Sequence, residues 1–478
     1  MLAAGVRGRS LKAVTSIGYG DNVSSKFSKR GYAVEMPKFD YKPPKYTGPS
    51  FEETMQTRKE YLTPALLTYY KNPIMIVDGK QQYLFDHEGN RYLDMFAGIV
   101  TVSVGHCHPT VTKAAIDQMN RLQHTTTIYL HPVIGEFGKK LAETFPKESN
   151  LKVVYFVNSG SEANDLAVMM ARAYTGNFDF ISLRNGYHGA SGNSASLTAL
   201  HTWKYPVPSD FGIKHTLNPD PYRGPFKSSD PEAGKKYAWH LKNLIEHSSP
   251  GAVAGFIAES IQGIGGTVEL ADGFLKEAYD IIRAHGGLCI ADEVQTGFGR
   301  TGTNFWGFQN YGVTPDIVTM AKGIGNGAPL AAVVTTPEIA KTLSKRIHFN
   351  TYGGNPVSCA MGSAVLDVIR DEKIQQNAHD VGSIIKDGLN DLKKKYKVIG
   401  DVRGHGLMLG VELVRDHETL EPANTETAHV FEKAKEMGVL VGKGGLYGNC
   451  LRIKPPMCVT KEDAKFFLDV MDRSLASL

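Results

Sequence analysis

Between about residue 151 and residue 321 the chain alternates short apolar runs with turns and helical patterns, and few folds accept that texture. Val153 to Val157, Phe180 to Leu183, Gly255 to Ala258, Leu288 to Ala291 and Ile317 to Met320 are almost wholly apolar, without the in–out alternation of a half-exposed strand. Runs of this kind suit strands covered on both faces. After the first of them comes Asn158-Ser159-Gly160-Ser161-Glu162, then Ala163, Leu166, Ala167 and Met170 at the spacing of one helix face. Strand, turn and helix in alternation predict an α/β protein whose mostly parallel sheet is covered by helices on both sides.

In open α/β sheets the ligand crevice lies at the carboxyl ends of the strands. Two opposite charges stand there: Asp292 in GGLCIADEVQTGFGR and Lys322 in PDIVTMAKGIGNG. A desolvated lysine amine can lose its proton and attack a carbonyl. An aspartate can keep a pyridine nitrogen protonated so that the ring accepts the electrons of a carbanion. The pair therefore suits an aromatic aldehyde with a basic ring nitrogen, a description met by pyridoxal 5′-phosphate. Taken alone, each residue also has an ordinary reading, Lys322 as a surface lysine and Asp292 as a helix cap.

Neighbouring motifs supply the other parts of such a site. The turn Asn158 to Glu162 opens a helix, so its N–H groups can hold a phosphate, with Gly160 allowing close approach and Ser161 adding a hydroxyl. Tyr187, in Asn185-Gly186-Tyr187-His188-Gly189, follows a strand and can stack on a flat ring, or equally fill the core. Val294 can pack on the opposite face, and Gln295 can donate to the ring's phenolic oxygen. Two other patterns are decoys. Gly297-Phe298-Gly299-Arg300-Thr301-Gly302 matches a dinucleotide fingerprint, yet it neither follows its strand directly nor opens a helix. Gly105-His106-Cys107-His108-Pro109 resembles a metal cluster but lacks a second ligand pair at suitable spacing, so no metal site is expected.

Composition narrows the class further. With 478 residues and 42% hydrophobic content the chain can bury more than one core, and a net charge of +4 without a basic block gives no sign of a nucleic-acid partner. Five scattered cysteines with no C-x-x-C pair point to a reducing compartment, and no apolar run approaches a membrane span. Residues 1–35 differ from the rest: up to Ala33, Arg7, Arg9, Lys12, Lys26, Lys29 and Arg30 face the single acid Asp21, amid serines and spaced apolar residues. This is the composition of a transit peptide, with the mitochondrial matrix favoured over the plastid.

The remaining segments complete an expected division. Residues 36–95 read as an extended strap followed by antiparallel strands between Ile74 and Asp94, turning at Asp78-Gly79 and Glu88-Gly89. Residues 96–349 would form the large domain. Residues 350–478, with the early strands, would form a smaller α+β domain, beginning with a helix capped by Asn355 and opened by Pro356.

The ordered motifs NSGSEAND, YHG, ADEVQTGFGR, MAKGIGNG and TYGGNP resemble those of the class III pyridoxal-phosphate aminotransferases of fold type I. The resemblance runs from about Tyr69 to the C-terminus. FAGIVTVSVGHCHP and GDVRGHGLMLGVEL are similar to its mitochondrial alanine–glyoxylate group. It implies a large domain with a seven-stranded sheet and Lys322 as the Schiff-base lysine. It also implies Asp292 on the pyridine nitrogen, Gly160 and Ser161 on the phosphate, Tyr187 with His188 at the ring, and Val294 and Gln295 beside it. Thr351 would reach the phosphate of a neighbouring subunit's cofactor, which makes the active unit a homodimer with shared sites, alone or paired into a tetramer. Glu259 and Arg452 match a gate that admits either a carboxylate or an apolar group, with Ser260 standing where the family usually has proline. Arg223 is a second candidate for binding a carboxylate. The implied reaction moves an amino group between small amino acids and keto acids, from L-alanine to glyoxylate, or in the alternative from an ω-amino acid such as 4-aminobutyrate or β-alanine.

Overall fold

The computed structural model describes residues 35–209 and 211–478, so the transit-peptide expectation for residues 1–35 falls almost wholly outside the described residues. Its centre is a seven-stranded sheet in the spatial order Val153–Val157, Ala331–Thr335, Ile317–Met320, Leu288–Asp292, Gly255–Glu259, Phe180–Leu183 and Ile213–Thr216. Only Ala331–Thr335 runs against the others. Leu288–Asp292, Gly255–Glu259 and Phe180–Leu183 are buried along their whole length, as strands covered on both faces must be.

Register then aligns the chemistry. Asp292 lies opposite Glu259 on one side and Thr319 on the other, so three neighbouring strands end in one row. Lys322 follows two residues after its strand, at φ 50°, in the left-handed region that an L-residue occupies only when its surroundings hold it there. The holding contacts come from the 103–105 segment: Ser103 Oγ donates to the Gly323 carbonyl at 2.7 Å, and Asn326 Oδ1 accepts from the Val104 amide at 3.0 Å.

The helix Gly160–Thr175 is capped by Ser159, whose side chain accepts from the Glu162 amide, and it buries Ala163, Leu166, Ala167 and Met170. Beside the large sheet and the two-stranded pair Ile261–Gln262 with Val268–Glu269 stand two four-stranded sheets. Ile76–Lys80, Tyr83–Asp86 and Arg91–Asp94 form an antiparallel meander, and Val439–Leu440 joins its edge in parallel. Ile399–His405, Met408–Leu413, Cys450–Ile453 and Gly442–Gly444 make the other. Asn355 caps Pro356–Asp371 as expected, its Oδ1 accepting from the Val357 and Ser358 amides.

Several expectations need correction. Asp78 and Gly79 are not a turn: both lie inside Ile76–Lys80 beside a bulge, and the chain reverses at Gln81, with φ 55°. Two strands of the large sheet went unpredicted. Ile213–Thr216 reads IKHT and is only partly buried at the sheet edge, so it lacks an apolar run. Ala331–Thr335 is alanine-rich and antiparallel, which breaks the strand–helix alternation. The Gly297 to Gly302 segment forms turns with no following α-helix, only the 3₁₀ turn Gly307–Tyr311. Its glycines serve packing: a Cβ on Gly302 would lie 2.6 Å from His379 Cα in the helix Ile374–Lys395.

Candidate active site

At the carboxyl end of the sheet, a cleft is lined by Gly160, Ser161, Asn164, Tyr187, His188, Gly189, Glu259, Asp292, Val294, Gln295 and Lys322. Nine of these are residues singled out from sequence, drawn from separate strand ends. Asn164 and Gly189 were not. Asn164 is an interior residue of a helix, with no pattern to distinguish it from a cap or surface amide.

Asp292 is buried and organised by three donors. Its Oδ2 accepts from Asn164 Nδ2 at 2.9 Å and lies 2.8 Å from His188 Nδ1, while Oδ1 accepts from the Val294 amide at 3.1 Å. Asn164 also donates to the His188 carbonyl at 2.8 Å, which ties the helix to the Tyr187 loop. The imidazole of His188 is buried, and its Nε2 has no hydrogen-bond partner. Such packing fixes the carboxylate in position.

Lys322 is half-buried. Burial pushes its amine pKa below the ordinary lysine value, opposed by the nearby Asp292 and Glu259 carboxylates. A larger share of its amine is therefore neutral at a given pH than for a surface lysine. The Glu259 carboxyl is pushed the other way, above the ordinary glutamate value, by burial. Its oxygens accept from the Tyr187 amide at 3.0 Å and the Gly263 amide at 2.7 Å.

Ser260 is anchored rather than loose. Its Oγ donates to Glu293 Oε1 at 2.5 Å, and its carbonyl accepts from Tyr311 Oη at 2.8 Å. Glu293 also takes the amides of Gly307 and Phe308 at 2.7 and 2.8 Å, so the segments after Glu259 and Asp292 share one buried anchor.

Arg452 makes no ion pair with Glu259 in this structure. Its Nε donates to the Lys443 carbonyl at 3.2 Å, its guanidinium carbon lies 4.9 Å from the Phe96 ring centre, and Nη1 is buried without a partner. Arg223 stands outside the cleft lining. Glu412 binds its Nε, and the Tyr447 ring lies 5.0 Å below it, so its carboxylate partner is already within the protein. Thr351 is exposed and likewise absent from the lining, although its neighbour Asn350 bonds Asn158 and Glu162 at the head of the Gly160–Thr175 helix. Of the decoy histidines, His106 meets Asp94 at 2.7 Å and His108 meets Glu372 at 3.0 Å. No metal-binding group of side chains occurs among the described residues.

The cleft fits a flat, anionic, nitrogen-containing ring. A Cβ on Gly160 would lie 3.1 Å from Val294 Cγ2, so the glycine lets the helix N-terminus reach the cleft floor. Unbonded N–H groups at such a helix N-terminus suit an anion. A buried carboxylate ends one wall, an amine of lowered pKa another, and an aromatic ring stands at the rim. This is the donor set of pyridoxal phosphate chemistry on a mostly parallel α/β sheet.

Residues 68–475 match the class III aminotransferase family model, and the chain belongs to that family, the pyridoxal-phosphate-dependent transaminases. Among its relatives, an Arabidopsis thaliana protein named alanine–glyoxylate aminotransferase 2 homolog 2, mitochondrial, is 54% identical over 94% of this chain and 92% of its own length. A Homo sapiens protein named alanine–glyoxylate aminotransferase 2, mitochondrial, is 46% identical over 92% of this chain and 89% of its own. Among solved structures, a PLP-bound amine transaminase from an uncultivated Pseudomonas species superposes with a TM-score of 0.82 at 31% identity, covering 87% of this chain and 98% of that one.

Proposed function

We propose that the protein moves an amino group from L-alanine to glyoxylate, giving pyruvate and glycine in two half-reactions at one site. The buried, unpartnered Nη1 of Arg452 is the observation that carries an amino acid substrate. A guanidinium N–H removed from water without an acceptor is costly, and a substrate α-carboxylate supplies that acceptor. The small size of the pair rests on the names of the relatives.

When bound, pyridoxal phosphate supplies a carbonyl that condenses with amines and a ring that takes up the electron pair left when the substrate Cα–H bond breaks. The protein's own groups do the rest. Lys322 Nζ takes the Cα proton as a base and returns it as an acid, which its lowered pKa suits. Asp292, held by Asn164, His188 and the Val294 amide, would partner the ring nitrogen and keep it protonated. Gly160 and Ser161 would hold the phosphate, Tyr187 with His188 and Val294 would enclose the ring, and Gln295 would serve the ring's phenolic oxygen. Arg452 would hold the carboxylate, with Glu259, fixed by two backbone amides, as its alternative partner.

The active unit in this reading is a homodimer. Ile128, Tyr129, Leu130, Ile347, Phe349 and Tyr352 are exposed in the single chain, far more apolar surface than isolated side chains explain. Thr351 lies in the same stretch, and we assign it to the phosphate of the partner subunit's cofactor. Residues 1–35 would direct the chain to the mitochondrial matrix.

A half-reaction panel tests the substrate. Alanine should bleach the visible cofactor band and glyoxylate restore it, while 4-aminobutyrate or β-alanine acts more slowly. If 4-aminobutyrate bleaches the band and alanine does not, the alanine reading fails and the ω-amino acid reading replaces it.

A further inference from the structure

One buried lysine beside the cleft has no part in the scheme above. Lys454 follows the strand Cys450–Ile453, is wholly buried, and is fixed by its backbone amide, which donates to the Met95 carbonyl at 2.8 Å. Its Nζ donates to Gln295 Oε1 at 3.2 Å and to the Gly263 carbonyl at 3.3 Å. Gly263 is thereby engaged at both ends, since its amide binds Glu259 Oε2 at 2.7 Å. A Cβ on Gly263 would lie 2.3 Å from the Gln295 amide, so the amide is clamped flat against that backbone.

An amide has one accepting end and one donating end, and a wrong flip would present an oxygen to an acceptor. With one N–H on the Gly263 carbonyl and another on Oε1, the Lys454 amine selects the flip: Oε1 turns to Lys454, and Nε2 is left to the cleft. We propose that Lys454 is the positioning residue for Gln295, turning its amide N–H toward the cofactor's phenolic oxygen. This inference rests on the cofactor placement proposed above and extends it.

The surroundings of Lys454 make this assignment specific. Arg452 on its own strand, Glu259 and Lys322 from the sheet ends, and the Cys450 thiol are the titratable groups that act on it. Burial, reinforced by Arg452 and Lys322, pushes its amine well below the ordinary lysine value, with Glu259 and Cys450 opposing. Each buried lysine costs desolvation, and this one has no carboxylate in hydrogen-bond contact to offset it. Its burial is explained if its hydrogen bonds serve the site.

The test follows the holoenzyme's visible absorbance against pH. A donor to the phenolic oxygen favours the deprotonated, more negative form of the chromophore, so the wild-type midpoint is held low. Lys454→Met should raise that midpoint by about one pH unit, the effect of one hydrogen bond to a charged group. Lys454→Gln, which still offers an N–H to Oε1, should return it most of the way. In a Gln295→Leu background, Lys454→Met should move it no further. If Lys454→Met does not fold, Lys454→Thr, polar but too short to reach Gln295, takes its place. A lowered melting temperature with an unchanged midpoint would leave Lys454 a purely structural residue and overturn the proposal, as would an equal shift in the Gln295→Leu background. A wild-type protein without any visible band would instead defeat the cofactor placement itself.

Discussion

At Lys322, two physical effects oppose each other: burial favours the neutral amine and the Asp292 and Glu259 carboxylates favour the charged one. Burial prevails, and the sign of the consequence follows. The neutral amine is the nucleophile, so the rate at which apoprotein takes up pyridoxal phosphate covalently should rise with pH and level off above the folded-state pKa, below 10.5. Stopped-flow growth of the visible band would show a midpoint near or above the free-lysine value if the carboxylates prevail instead. Replacing Lys322 by Ala removes both nucleophile and proton carrier. Turnover of alanine with glyoxylate should fall by about 10²–10⁴-fold or more from the proton-transfer role alone, with the fold retained by circular dichroism. Asp292 and Lys322 were legible in the sequence because each stands at the end of an apolar run. Asn164 and Lys454 were not: the first sits within a helix and the second between an apolar strand and two prolines, and only the fold brings either to Asp292 or Gln295.

Elements place those residues without regard to their order in the chain. The helix Gly160–Thr175 contributes its N-terminus to the cleft and, one turn later, Asn164 to Asp292. Gly160→Ala should leave the helix intact, since alanine is the better helix former, while the new methyl presses on Val294 and withdraws the N-terminus from the phosphate. Pyridoxal phosphate affinity should fall about tenfold, the loss of roughly 1–2 kcal/mol of anion stabilisation at a helix terminus, and equilibrium titration of the apoprotein would measure it. An unchanged Kd would place the phosphate elsewhere. The link between Ser260 and Glu293 acts on loops in the same way. Ser260→Ala removes one donor from a wholly buried carboxyl and should cost about 1–3 kcal/mol in urea unfolding, more than the loss of a surface hydroxyl. At this scale the sequence was a partial guide. Strands that are apolar throughout announced themselves, whereas Ile213–Thr216, at the edge, and Ala331–Thr335, running against its neighbours, carried no such signal.

For the whole molecule, the open question is where each site finds its last contact. Thr351 is exposed and outside the cleft of its own chain, yet it adjoins Asn350, which reaches Asn158 and Glu162 at the phosphate turn, and it borders an apolar surface suited to a second copy. If Thr351 serves the partner subunit, two inactive variants should complement each other. Chains carrying Lys322→Ala keep a good Thr351, and chains carrying a bulky replacement such as Thr351→Trp keep a good Lys322. In a mixed dimer one site combines both defects and the other combines both intact residues. Random assortment at equal dose makes half of the dimers mixed, so activity should recover to about one quarter of wild type. Purifying mixed dimers by two different affinity tags would raise this to about one half, because one site in each is whole. A Thr351 that acts within its own chain gives no recovery, since every chain then carries one lesion in its own site.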